Sequence, residues 1–258
     1  MPPRIPTEDD FAPIVRVLPH TLHFPSPREA TTSILILFHG LGDSEAPFHT
    51  FARNLSLPGV LAISVRGTSP LPPSLLPETA IDGKGHFHWG DDINMDPATG
   101  ELDDDPGFEK ASGLVMNKIV RETLIEKCGW EWTDIMFFGF GQGGSLALGI
   151  AARLNAGDRV TDVTNKDTKA SPRTCKGVLS IGGSLPQSMV STVSNRQKSS
   201  TSVLLCQFDP EQVEATKREF KEVRVVNWKR RDVAMPRDRE EVLPLMKFFA
   251  DRLNSGWA

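Results

Sequence analysis

The sequence predicts an α/β fold: a mostly parallel central sheet with helices on both faces. Three observations predict it. Seven short apolar runs, at 14–17, 33–38, 60–65, 135–138, 178–181, 203–206 and 223–228, recur along the 258 residues. Each is nearly continuous in apolarity rather than alternating, as befits strands covered on both faces. Helical or polar segments separate the runs, the alternation a doubly wound sheet requires. The length suits one domain spanning residues 1–258, with a core large enough to need no covalent staples.

Residues 1–12 are rich in proline and charge and read as a flexible tail, without the apolar stretch of a signal peptide. Residues 66–107 are rich in Pro, Gly and Asp and read as a surface loop, which carries His86-Phe87-His88-Trp89-Gly90-Asp91-Asp92. The best-defined helix follows Asp103-Asp104-Asp105-Pro106, with Asp105 as its cap and Pro106 in its first turn. Its apolar stripe runs Phe108, Ala111, Val115, Ile119 and on to Cys128, and Gly129 stops it. Residues 155–175 are polar and aperiodic, a surface insertion. The final helix carries Val242, Leu245, Phe249 and Leu253 on one face, so Pro244 belongs in its first turn or kinks it.

Composition narrows the function classes. With 39% apolar and 24% charged residues the chain is an ordinary globular protein, and a net charge of −4 argues against nucleic acid as a partner. Cys128, Cys175 and Cys206 are odd in number and widely spaced, which suits free thiols in a reducing compartment. The expected location is the cytoplasm, with the nucleus as the alternative. No apolar run approaches a membrane span. No cofactor or metal is expected: His86 and His88 lack a further clear ligand, and residues 103–105 lack the spaced ligands and central glycine of a calcium loop. Nothing in the sequence indicates an oligomeric state.

The most informative segment is Phe138-Gly139-Phe140-Gly141-Gln142-Gly143-Gly144, between an apolar run and a helical pattern. The pattern G-x-S-x-G at a strand-to-helix turn exposes a nucleophilic serine. Here its centre is Gly141, which has no side chain with which to attack. A second motif, His39-Gly40-Leu41-Gly42-Asp43, directly follows a predicted strand.

Together the two motifs resemble those of the phospholipase/carboxylesterase family, which includes the acyl-protein thioesterases. In that family a strand ends in H-G-L-G-D and the turn reads G-F-S-Q-G-G. The resemblance implies an α/β-hydrolase fold and a Ser-His-Asp mechanism. It places the nucleophile at Gly141, the acid at Asp209, the histidine near Met235, and the oxyanion donors at the backbone N–H groups of Leu41 and Gln142. It sets His39, His88 and Trp89 at the pocket rim. Where the family reads C-H-G-x-x-D-P, this chain reads Cys206-Gln207-Phe208-Asp209-Pro210, about two residues shorter, and no histidine follows His88.

Three accounts of Gly141 are open: an engineered serine replacement, a different apparatus using His39, Ser145 or Ser184, and natural loss of catalysis. Loss accounts for Gly141, Met235 and the altered Asp209 loop at once, and glycine also relieves the strain of positive φ at the turn. The expectation is a pseudo-hydrolase that binds another protein as a scaffold, or binds a small acyl or lipid-like ligand. The alternative is a carboxylesterase or thioesterase with residual or unconventional activity. The run Lys229-Arg230-Arg231 is read either as a partner-binding spot or as a solvated turn.

Overall fold

The computed structural model describes residues 3–76, 85–93, 95, 102–156, 173–192 and 197–254. Its centre is a seven-stranded sheet in the order β1-β3-β2-β6-β7-β8-β9. The strands are β1 (His20–His23), β2 (Ser33–Phe38), β3 (Val60–Val65), β6 (Ile135–Phe140), β7 (Gly177–Ile181), β8 (Ser199–Cys206) and β9 (Phe220–Val226). Only β1 runs antiparallel; every other pairing is parallel. A two-stranded ribbon, β4 (Ser69–Pro70) with β5 (Phe87–His88), stands apart from it.

The alternating faces of β2 show how the layers form. Ile34, Ile36 and Phe38 join one buried cluster, Leu35 and Leu37 the other. The first cluster receives α3 (Glu109–Leu114), α4 (Gln142–Ala156) and α5 (Pro210–Glu219) through Ala111, Leu146 and Val213. The second receives α2 (Glu45–Leu55) through Phe48 and Ala52, and α6 (Arg239–Asn254) through Leu245, Phe248 and Phe249. The expected mostly parallel sheet with helices on both faces is therefore present. Among the described residues no helix is long and apolar enough to cross a membrane.

Several expectations are corrected. Residues 3–12 are docked, not a flexible tail. Phe11 is buried, Asp10 forks onto Arg4 at 2.7 and 2.8 Å and pairs with Lys127 at 3.0 Å, and Trp130 Nε1 donates to the Arg4 carbonyl. Their helix α1 (Glu8–Phe11) rests on the segment after α3. The run at 14–17 is no strand: it forms turns, with the Val17 and Leu18 N–H groups donating to the Ile14 carbonyl. Ile14 and Leu18 are buried while Val15 and Val17 are exposed, a spacing of four that suits a turn of helix rather than a pleat.

Asp105 does not cap α3, because its carboxylate accepts from the N–H and hydroxyl of Ser188. Asp91 caps α3 instead, accepting from the Glu109 N–H at 2.7 Å and the Lys110 N–H at 2.9 Å. The helix continues through Val115–Lys127 in wider turns, with Cys128 N–H bonded to the Thr123 carbonyl five residues back. The expected stripe from Phe108 to Cys128 is buried, and Gly129 ends the helix at φ +77°. Pro244 is the sixth residue of α6, past the first turn, so the Glu240 carbonyl lacks its i+4 donor. Residues 157–172 of the expected insertion lie outside the described residues.

Candidate functional site

The turn between β6 and α4 is packed backbone against backbone. A Cβ on Gly139 would collide with the Gly143 carbonyl, one on Gly143 with the carbonyls of Phe38 and His39, and one on Gly183 with the Gly141 carbonyl. Side chains are thus excluded at these three positions. Gly141 differs. It sits at φ +50°, and a Cβ there would meet nothing closer than the Gly40 Cα at 4.0 Å. The turn holds Gly141 through its N–H to the Ile181 carbonyl at 2.9 Å, while its own carbonyl accepts from Gly144 and Ser145. Sterically the position is open to a side chain, though its backbone conformation favours glycine.

Gln142 opens α4, so its N–H is among the first-turn donors with no intrahelical acceptor. Leu41 follows Gly40 and is exposed, and the Phe140 ring lies on Gly40, where a Cβ would come within 2.7 Å of it. The structure thus brings Gly141, Gln142 and the Gly40-Leu41 loop together. The Gln142 side chain has a role that motif reading missed: its Oε1 accepts from the Trp89 N–H at 2.7 Å, tying the loop after β5 to the turn.

His39, His88 and Trp89 are buried beneath the site and form no rim. Trp89 Nε1 donates to the His39 carbonyl at 2.8 Å, and its ring lies 5.0 Å from the imidazole. His39 Nε2 accepts from the Gly67 N–H at 2.8 Å, so Nδ1 carries the proton and donates to the Gly40 carbonyl at 2.7 Å. Burial pushes the His39 pKa down, against a smaller upward effect of that carbonyl. His39 is therefore a neutral structural imidazole with both nitrogens engaged, not an available base. Burial, followed by the charge of Lys110, likewise lowers the pKa of His88. Ser145 is buried one turn inside α4, and Ser184 is half-buried just after Gly182-Gly183.

Asp209 and Met235 are occupied elsewhere. Asp209 is exposed at the N-terminus of α5, its carbonyl accepting from the Val213 N–H and its own N–H donating to Gln212 Oε1. Met235 packs into the cluster beneath α6. Between them Gln207, at φ +64°, bridges the loops: Nε2 donates to the Arg230 carbonyl at 2.8 Å and Oε1 accepts from the Trp228 N–H. Its sequence signal is the place it takes beside Cys206, where the related motif has histidine. Arg230 is the second staple. It bonds Glu241 (2.7 Å) and the carbonyls of Ala234 and Met235, and its guanidinium lies over Trp228. The Glu241 contact raises the Arg230 pKa. Of the basic run, Arg230 is thus a structural tie, while Lys229 reaches outward to Glu240. Val233, on the same loop, stands where a Gly182 side chain would be. The Cys206 thiol at the end of β8 is pushed up to about 12 by burial and is inert as a nucleophile. Among the described residues no group of three His, Cys, Asp or Glu side chains is placed to hold a metal.

A parallel sheet flanked on both sides by helices, with a glycine-packed turn from its central strand into a helix, defines the α/β-hydrolase fold. The chain belongs to the phospholipase/carboxylesterase family, whose model matches residues 21–157. It is similar to an uncharacterized hydrolase of Schizosaccharomyces pombe, 32% identical over 162 residues, which are 63% of this chain. The match spans only 57% of that relative's length. In structure it is similar to acyl-protein thioesterase 2 of Zea mays (TM-score 0.62, 17% identity, 91% of this chain and 99% of that one). It is also similar to the carboxylesterase of Bacillus cereus (TM-score 0.55, 17% identity, 95% of this chain and 100% of that one). At these identities the structures share the fold alone.

Proposed function

We propose that this protein is a catalytically silent member of its family, a pseudo-hydrolase that uses the surface around its turn to bind another protein. The observation that carries the reading is Gly141 itself, at the nucleophile's position with no reactive side chain in its place. The histidines support it: none follows His88 in sequence, and His39 is committed to backbone on both nitrogens. The exposed Leu41 and Val233, with the half-buried Phe140, give the turn an apolar collar suited to recognition. The same collar favours a second binding version, in which a small acyl or lipid-like ligand lies over Gly141. Its location would be the cytoplasm.

The competing enzymatic reading, residual ester or thioester hydrolysis, draws on family membership. An assay with p-nitrophenyl butyrate and labelling with a fluorophosphonate probe separate the two. The proposal expects background turnover and no labelling, for the native protein and for Gly141→Ser alike. Turnover by Gly141→Ser would reveal a working base and sink it. Pull-down from native lysate then separates the binding versions: a stoichiometric protein supports the scaffold, a co-purifying acyl compound the receptor.

A further inference from the structure

β1 is one end of the seven-stranded sheet, paired on one side only, with β3. That pairing is antiparallel, with His20, Thr21, Leu22 and His23 opposite Val65, Ser64, Ile63 and Ala62. Just before it, the Arg66 N–H donates to the Pro19 carbonyl at 2.9 Å, so Pro19 and Arg66 are a hydrogen-bonded pair of the same ladder. Hydrogen-bonded and non-hydrogen-bonded pairs alternate along such a ladder. Thr21 and His23 therefore face β3 with their backbone groups, while the N–H and C=O groups of His20 and Leu22 point away from the sheet. Among the described residues no backbone group outside the sheet bonds to these four.

The two edges of the sheet differ. β9, at the other end, carries Lys221, Glu222 and Arg224, and Arg224 pairs with Glu222 and Asp251. Charged side chains on an edge discourage a further strand. β1 reads His-Thr-Leu-His, without Asp, Glu, Lys or Arg.

A cavity of about 410 Å³ wraps this edge. Phe11 and Leu22 reach it from the face of the first buried cluster, and the exposed Val15 adds to that apolar wall. Thr21 and His49 line it as well, and the Thr21 side chain lies on the opposite face of β1 from Leu22. At the end of β1 the His23 ring lies 5.9 Å from that of His49, and Arg53 follows His49 one turn later on α2. Both act on His23 as like charges, and Arg53 is exposed with no carboxylate partner among the described residues. The nearby carboxylates are already paired, Glu8 with Arg28 and Glu45 with Arg66. The corner is therefore electropositive.

We propose that the β1 edge binds an extended segment of a partner protein as an eighth strand, apolar opposite His20 and Leu22 and acidic opposite His23. Residues opposite each other on neighbouring strands share a face, so the apolar side chains enter the groove beside Phe11 and Val15. The next side chain falls on the other face, where its carboxylate meets His23 and Arg53. Main-chain bonds to His20 and Leu22 supply affinity, and the alternating side chains supply specificity. A second copy of the chain is a poorer match, because its β1 brings no carboxylate to the corner. With β3 and β2 between this edge and β6, the surface is separate from the turn around Gly141.

The probe is acetyl-Glu-Val-Thr-Val-Glu-amide, which reads the same in both directions and so serves parallel and antiparallel addition alike. Added to the full chain, it should slow hydrogen exchange at the His20 and Leu22 amides by roughly tenfold or more at saturation, read by NMR. The same peptide N-methylated at every residue keeps its side chains but loses its main-chain donors, and should bind about tenfold more weakly or worse. Acetyl-Lys-Val-Thr-Val-Lys-amide should bind about fivefold more weakly, and Arg53→Glu, an exposed replacement, should reverse that preference. The proposal is overturned if the glutamate peptide leaves those two amides unprotected, if either control peptide binds as well, or if Arg53→Glu changes neither affinity. Self-association that protects the same amides without peptide also overturns it, and assigns the edge to a second copy.

Discussion

Gly141 and Gly143 lie two residues apart in one turn and answer to different constraints. Gly143 is glycine because the carbonyls of Phe38 and His39 occupy the place of its Cβ; Gly141 has open space and is constrained only by φ +50°. Gly141→Ser should therefore fold and lose about 1–2 kcal/mol in urea unfolding, the cost of a left-handed non-glycine residue. Gly143→Ala should fail to give a soluble folded protein, judged by circular dichroism and gel filtration. Both glycines were legible in the sequence as a motif. That one is steric and the other conformational was not, because the difference lies in the carbonyls of Phe38 and His39 at the end of β2, far away in sequence.

At the scale of elements, short-range pattern is legible in the sequence and long-range exchange is not. β2 and β3 fall on the predicted runs because central strands covered on both faces leave an unbroken apolar signature. The cap of α3 is not legible locally, because Asp91 reaches it from a loop eighteen residues back, beyond any local capping pattern. Asp91→Ala should cost about 1–2 kcal/mol, measured by urea unfolding, with Asp105→Ala costing less. Gln207 is the comparable case in the site. It sits at φ +64°, and its amide joins the end of β8 to the loop before α6. Gln207→Ala should lose about 1–3 kcal/mol, since two backbone groups lose their partner, and should speed proteolysis within residues 229–238. The family motif locates these loops in the sequence, but not the hydrogen bonds of Gln207 and Arg230 that fill their interior.

Over the whole molecule, stability should depend on the N-terminal segment and on pH. Phe11 is buried against the first core cluster, so deleting residues 1–12 should cost at least roughly 2–3 kcal/mol in thermal or urea unfolding, from that ring alone. Had the segment been a tail, the loss would be nil. His20, His39 and His88 all have pKa values lowered by burial. The unfolded chain takes up their protons first, so their stabilising contribution is full above about pH 6.5 and is lost as pH falls below it. Stability should decline as pH falls below about 6.5, measured by urea unfolding, and His39→Gln should flatten that slope. On the reading proposed above, the two halves of the triad disappeared by different routes. The nucleophile went by subtraction, and its room remains over Gly141. The base and acid loops were filled by Gln207 and Arg230, which hold the chain together there. Subtraction is undone by one replacement, whereas occupation must be dismantled before anything is restored. A lineage that has passed this point faces a ratchet: regaining a serine is a short step with no benefit, and the steps that would make it useful pass through less stable proteins.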